Sequence, residues 1–90
     1  MSKEIVLFSS EEKKDLQSVA AFLHQLADKL AQNQVILHKG GEEIKLEISN
    51  NVVLELKVEE EAKKGMTKRT FEIEIEWIDG DESGGTVTLG

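Results

Sequence analysis

The chain has 90 residues, no cysteine and no proline, and a net charge of −7 at pH 7. This length predicts one domain with a modest core, and the lack of cysteine excludes disulfide bonds and thiolate metal sites. The acidic balance disfavours binding to a phosphate backbone by the domain as a whole. No apolar run reaches the roughly 20 residues that would cross a membrane. We therefore expect a cytoplasmic protein without a membrane segment.

The first third of the chain predicts a strand followed by a helix. Lys3–Phe8 has apolar residues on both alternating sides, which is typical of a short strand that is covered on both faces or lies in a subunit contact. Ser9 and Glu12 have the spacing of a capping box, which predicts a helix from there to about Gln32, with Asn33 as its stop. The helix carries one apolar stripe formed by Leu16, Val19, Ala20, Phe22, Leu23, Leu26, Ala27 and Leu30.

Four strand-like runs follow the helix, and the turns between them predict the register. The pair Gly40–Gly41 favours a two-residue hairpin turn, which places Leu37 opposite Ile44 and His38 opposite Glu43. A three-residue loop at 49–51 then pairs the second run with the third. In that register Leu46 faces Leu54, Lys45 faces Glu55 and Ile48 faces Val52.

The last two runs predict a long hairpin. Setting Glu61 opposite Lys68 yields the further pairs Glu60 with Arg69, Lys57 with Glu72, and the unfavourable Glu55 with Glu74. The final run, Thr70–Trp77, alternates strictly between apolar residues and glutamates. A strand with this pattern has one bulky apolar face and one row of carboxylates.

These elements predict an α+β fold, in which a short N-terminal strand and one long helix precede a four-stranded antiparallel meander. The helix stripe covers the apolar sheet face in a two-layer sandwich. We expect a single domain over residues 1–78 and a flexible, Gly-rich acidic tail over residues 79–90. Trp77 is expected to cap the core, with its ring N–H at the rim.

Three stretches resemble the amphi-Trp domain family of bacteria and archaea. They are the alternating run that ends in Trp77, the helix segment Ala20–Leu30 and the Gly40–Gly41 hairpin. The resemblance covers about Glu4 to Trp77. It implies a small cytoplasmic protein, and it brings no catalytic residues to carry over.

The polar face of the predicted sheet has two interpretations. It is either a solvated surface with exposed ion pairs, each contributing less than ~1 kcal/mol, or an interaction face for a basic partner or a second copy. The candidate residues for an interaction face are Ile36, Val53, Glu55, Glu72, Glu74 and Glu76. Glutamates along a flat strand are not expected to converge as metal ligands do.

The chain also contains one basic cluster on the last hairpin, formed by Lys63, Lys64, Lys68 and Arg69. The cluster favours an alternative function, a weak nucleic-acid or ribosome-associated factor, although no outward-facing stacking aromatic adjoins it. His24 and His38 are too few for a zinc site, and no residues form a catalytic triad. We therefore expect no metal, no other cofactor and no enzymatic activity. The leading hypothesis is a small interaction module that binds a protein partner or itself.

Overall fold

The computed structural model describes residues 3–79. In chain order it has one helix, α1 (Leu16–Leu30), and four strands, β1 (Gln34–Lys39), β2 (Glu42–Glu47), β3 (Val53–Lys63) and β4 (Met66–Glu76). The strands form two separate antiparallel hairpins, β1–β2 and β3–β4. The chain divides into two compact units, Met1–Ile48 and Ser49–Gly90. The α+β class is therefore confirmed, while the four-stranded sheet is replaced by two hairpins.

The predicted N-terminal strand is not formed. Residues 3–15 are neither helix nor strand, and Ile5, Val6 and Leu7 are exposed. A strand needs a neighbour to satisfy its backbone N–H and C=O groups. Within residues 3–79 each hairpin pairs only with itself, so this segment has no strand partner.

Helix α1 begins later than the capping box predicts, so Ser9 as the N-cap was wrong. The N-cap is Asp15, which has extended backbone angles and accepts a hydrogen bond at Oδ1 from the Ser18 backbone N–H at 2.8 Å. The physical reason is that apolar side chains at helical spacing begin only at Leu16. A helical turn before Leu16 would have no apolar side chain to bury. The helix ends at Leu30, slightly before the predicted end at about Gln32, and the predicted stop residue Asn33 has a left-handed φ of 61°.

The core of the first unit lies where α1 packs on β1. Val35 is buried there, and Leu26, Leu30 and Leu37 are half-buried. The predicted register of this hairpin is confirmed, with Leu37 opposite Ile44 and His38 opposite Glu43. His38 Nδ1 lies 3.4 Å from the Glu43 carboxylate.

The predicted pairing between β2 and β3 is not formed, because the connection between them spans residues 48–52 rather than a three-residue loop at 49–51, and a longer loop does not fix a strand register. Asn33 adds a contact at the end of β2. Its backbone carbonyl accepts a hydrogen bond from the Ile48 N–H at 2.8 Å, and its side-chain Nδ2 donates to the Ile48 carbonyl at 2.9 Å. These two bonds extend the β1–β2 ladder by one pair beyond Gln34 and Glu47. The chain continues through a loop over residues 48–52 to β3.

The second unit contains the long hairpin, which is the name used below for β3 and β4 together. Each strand has 11 residues, and the turn residues Lys64 and Gly65 have φ values of 42° and 79°. Positive φ at both positions is typical of tight hairpin turns, and glycine adopts it without strain. The predicted register is confirmed at Glu61–Lys68, Glu60–Arg69, Lys57–Glu72 and Glu55–Glu74.

The expected domain boundaries have the following outcome. The single domain over residues 1–78 stays a prediction, and the tail over residues 79–90 lies outside the described residues except for Asp79. No helix within residues 3–79 is long and apolar enough to cross a membrane.

Candidate interaction surfaces

One side of the long hairpin is a continuous apolar surface, called here the apolar face. It consists of three consecutive cross-strand pairs, Leu54–Ile75, Leu56–Ile73 and Val58–Phe71. Ile75 is half-buried, whereas the other five side chains are 53% to 73% exposed. The alternation of the sequence predicts that these residues form a core. The structure confirms their common side and leaves them open to solvent.

Polar contacts mark both ends of the apolar face. Toward the turn, Arg69 Nε donates to Glu60 Oε1 at 3.1 Å. Beyond the other end, the Trp77 ring N–H donates to Asp79 Oδ1 at 2.9 Å. Trp77 itself is half-buried, which agrees with an indole whose ring N–H lies at a rim.

The opposite side of the long hairpin, called here the acidic face, is rich in carboxylates. It brings together five of the six residues predicted as an interaction face: Val53, Glu55, Glu72, Glu74 and Glu76. The sixth, Ile36, lies on β1 in the other unit and is exposed there. The sequence places these residues on one sheet, but the structure assigns them to two.

Ion pairs neutralise part of the acidic face. Lys57 Nζ lies 3.4 Å from Glu59 Oε1, and this hydrogen bond raises the pKa of Lys57, with further help from the charges of Glu59, Glu72 and Glu55. Lys63 Nζ lies 3.5 Å from Glu61 Oε1. All of these groups are exposed, so each pair contributes little to stability.

Three glutamates on the acidic face converge, contrary to the expectation for carboxylates along a flat strand. Carboxylate oxygens of Glu55, Glu74 and Glu76 all lie within 4.8 Å of one another. A hydrogen bond with Glu55 and the charge of Glu76 raise the pKa of Glu74. The predicted opposition of Glu55 and Glu74 already contained this signal, because a diagonal neighbour such as Glu76 is within reach of a long side chain. All three residues are exposed, and exposed acidic groups are common without a bound ion.

The four residues of the predicted basic cluster do not share one surface. Lys63 and Lys68 lie on the acidic face, Arg69 lies on the side of the apolar face, and Lys64 is in the turn. Lys68 is also opposite Glu61, and Arg69 is paired with Glu60. Adjacent residues in a strand point to opposite faces, so the sequence already implied this division of Lys68 from Arg69.

The first unit contains an open cleft that the sequence did not predict. Its volume is about 360 Å³, and its lining includes Phe8, Val19, Phe22, Leu37 and Lys39. Lys39 Nζ donates to the Ser9 carbonyl at 3.2 Å, which ties the N-terminal segment to β1. Within residues 3–79 no charged or polar side chain is buried.

These features define a small α+β protein whose most distinctive surface is an exposed amphipathic hairpin. The model of the Amphi-Trp domain matches residues 1–90, and the chain belongs to that family. The resemblance inferred from the run ending in Trp77 is thereby confirmed. No curated protein and no solved structure is similar enough to the chain to count as a match.

Proposed function

We propose that the protein is a small non-enzymatic interaction module that docks a protein through the apolar face. The observation that carries this proposal is the exposure of Leu54, Leu56, Val58, Phe71 and Ile73 on one side of a single hairpin. Together they offer on the order of 500 Å² of apolar surface, a size at which exposed patches on soluble proteins are often functional.

The stability of the long hairpin also favours a docking role. A two-stranded hairpin is at best marginally stable in water unless a further layer covers its apolar side. The two-layer sandwich expected from the sequence is part of this proposal, since some layer has to cover the apolar face. We propose that a partner supplies this layer, so that binding and folding of the long hairpin are linked.

The acidic face has a supporting role in this proposal. Its glutamates keep one side of the long hairpin hydrated, so that only the apolar face is available for docking. The nucleic-acid alternative has less support, because the basic cluster is divided between two sides and partly neutralised by Glu60 and Glu61. A cytoplasmic location is proposed on the sequence alone, from the lack of cysteine.

Two matched variants test which side of the long hairpin binds. Ile73→Lys and Val53→Lys each replace an exposed aliphatic side chain, 53% and 62% exposed, with lysine on opposite sides of the long hairpin. Each variant is immobilised and exposed to nuclease-treated lysate of the source organism. We expect Val53→Lys to retain the same proteins as the unmodified chain, including its untagged copies, and Ile73→Lys to lose them.

Trp77 fluorescence serves as the folding control, since Trp77 directly follows β4 and lies in the unit that carries both substitutions. Equal retention by Ile73→Lys and the unmodified chain would contradict the proposal. Loss of retention only in Val53→Lys would instead assign binding to the acidic face.

A further inference from the structure

We infer that the occupant of the apolar face is the apolar face of a second copy, so that two long hairpins pack face to face around a two-fold axis. This inference rests on the proposed function, because it names the partner of the same surface. A two-fold contact uses one patch twice and therefore requires a patch that complements itself. The apolar face meets that requirement, since no charge interrupts its three cross-strand pairs.

The distribution of charge favours this partner over pairing through the other side. A face-to-face dimer directs both acidic faces outward, away from each other. Pairing through the acidic faces would instead bring two clusters of Glu55, Glu74 and Glu76 together. For a chain with a net charge of −7, the first arrangement has far less electrostatic repulsion.

The ends of the apolar face also suit an interface between copies. Glu60 and Arg69 form an ion pair of zero net charge beside Val58 and Phe71. Such a pair belongs at the polar rim of an interface, where it remains hydrated while the apolar centre is dry. Neither residue leaves an unpaired charge in the contact, and an unpaired buried charge is what most strongly opposes association.

The available area agrees with a specific dimer of modest strength. Each copy contributes on the order of 500 Å² of apolar surface, so two copies bury on the order of 1,000 Å², which is the lower bound for a specific interface. An 11-residue strand is about 37 Å long, so the patch fits within the long hairpin. Face-to-face sheets pack about 10 Å apart, which side chains such as Leu56 and Phe71 can fill. We therefore expect dimerisation to depend on protein concentration.

Sedimentation equilibrium of the full chain over micromolar to millimolar concentrations tests the inference. The unmodified protein and Val53→Lys should both rise from the monomer mass of 10.0 kDa toward twice that value. Ile73→Lys should remain a monomer at every concentration. Val58→Lys, which replaces the most exposed residue of the apolar face, should do the same and guards against a folding defect specific to Ile73→Lys.

Two results would overturn the inference. The first is a constant monomer mass for the unmodified protein. If Ile73→Lys still loses proteins captured from lysate in that case, the docking role survives with a different partner, and the two claims are separated. The second is a dimer that persists in both Ile73→Lys and Val58→Lys, which would place the contact elsewhere. A dimer lost only in Val53→Lys would place it on the acidic face.

Discussion

At the scale of single residues, Glu74 is the side chain whose environment departs most clearly from that of an ordinary surface glutamate. Glu55 hydrogen-bonds with it and Glu76 adds a second negative charge, and both effects raise the pKa of Glu74. A protonated carboxyl group can donate a hydrogen bond to a neighbouring carboxylate, so protonation converts repulsion within the cluster into attraction. The cost of keeping three carboxylates together thus depends on pH.

The sign of this dependence follows from linkage. Because the pKa of Glu74 is higher in the folded state, the stabilisation by its protonated form is fully present below the unfolded pKa of about 4.5 and is lost as pH rises through the folded pKa. We expect Glu74→Gln to raise the urea midpoint at pH 7 and to leave it unchanged at about pH 4. Urea titrations at both pH values measure the effect.

Glu72→Gln is the matched control for this prediction. Glu72 lies on the same strand and face, but it is opposite Lys57, so its removal eliminates an attraction rather than a repulsion. We expect no stabilisation at pH 7 from this change. Equal urea midpoints for both variants at pH 7 would show that the carboxylate cluster has no effect on folding.

At the scale of elements, the start of α1 rests on Asp15. Hydrogen bonds from Ser18 lower the pKa of Asp15, so the cap is strongest when the carboxylate is charged. Because the pKa of Asp15 is lower in the folded state, its stabilising contribution is present above the unfolded pKa and is lost as pH falls through the folded pKa. This is opposite in sign to the effect of Glu74.

Replacing the cap should therefore weaken the helix. We expect Asp15→Ala to lower the helical circular dichroism signal and the thermal midpoint at pH 7, because the first turn loses its acceptor for the Ser18 N–H. Ser9→Ala is the control, since this residue lies outside α1 and the substitution keeps the backbone carbonyl that accepts from Lys39. A loss of helix in Ser9→Ala that equals the loss in Asp15→Ala would restore the capping box predicted from the sequence.

The same helix shows what sequence patterns can and cannot predict. Both hairpin registers follow from local chemistry. The two-residue turn Gly40–Gly41 fixes the first, and the pairing of Glu61 with Lys68, together with strict alternation, fixes the second. The start of α1 was missed because two acceptors, Ser9 and Asp15, precede the same apolar stripe. The predicted β2–β3 pairing failed because it was based on matching the faces of two runs across a loop, and neither hairpin contains a local signal that joins it to the other.

The sequence also predicted on which side of the long hairpin each residue lies. Alternation places every residue of β3 and β4 on its correct side, and the expected Glu55–Glu74 opposition is present. The sequence cannot state whether the apolar face is covered, because covering depends on a second layer rather than on the strand itself.

At the scale of the whole molecule, the two units contain independent reporters. Trp77 is the single tryptophan and belongs to the second unit, whereas α1 belongs to the first. Each unit has fewer than about 50 residues, a size at which a chain rarely buries enough surface to fold alone. We therefore expect the single domain predicted from the sequence to behave as one cooperative unit.

The expected result is one thermal transition, seen at the same midpoint by Trp77 fluorescence and by helical circular dichroism. If native copies associate through the apolar face, mass action raises that midpoint as protein concentration rises. In Ile73→Lys the concentration dependence should disappear, while Val53→Lys should keep it. The contrary result is a Trp77 fluorescence transition that occurs at a lower temperature than the loss of helix and whose midpoint is independent of protein concentration. It would contradict both the single cooperative unit and the association of copies through the apolar face. The long hairpin would then unfold by itself, and the domain boundary would fall after Ile48, where the two compact units divide.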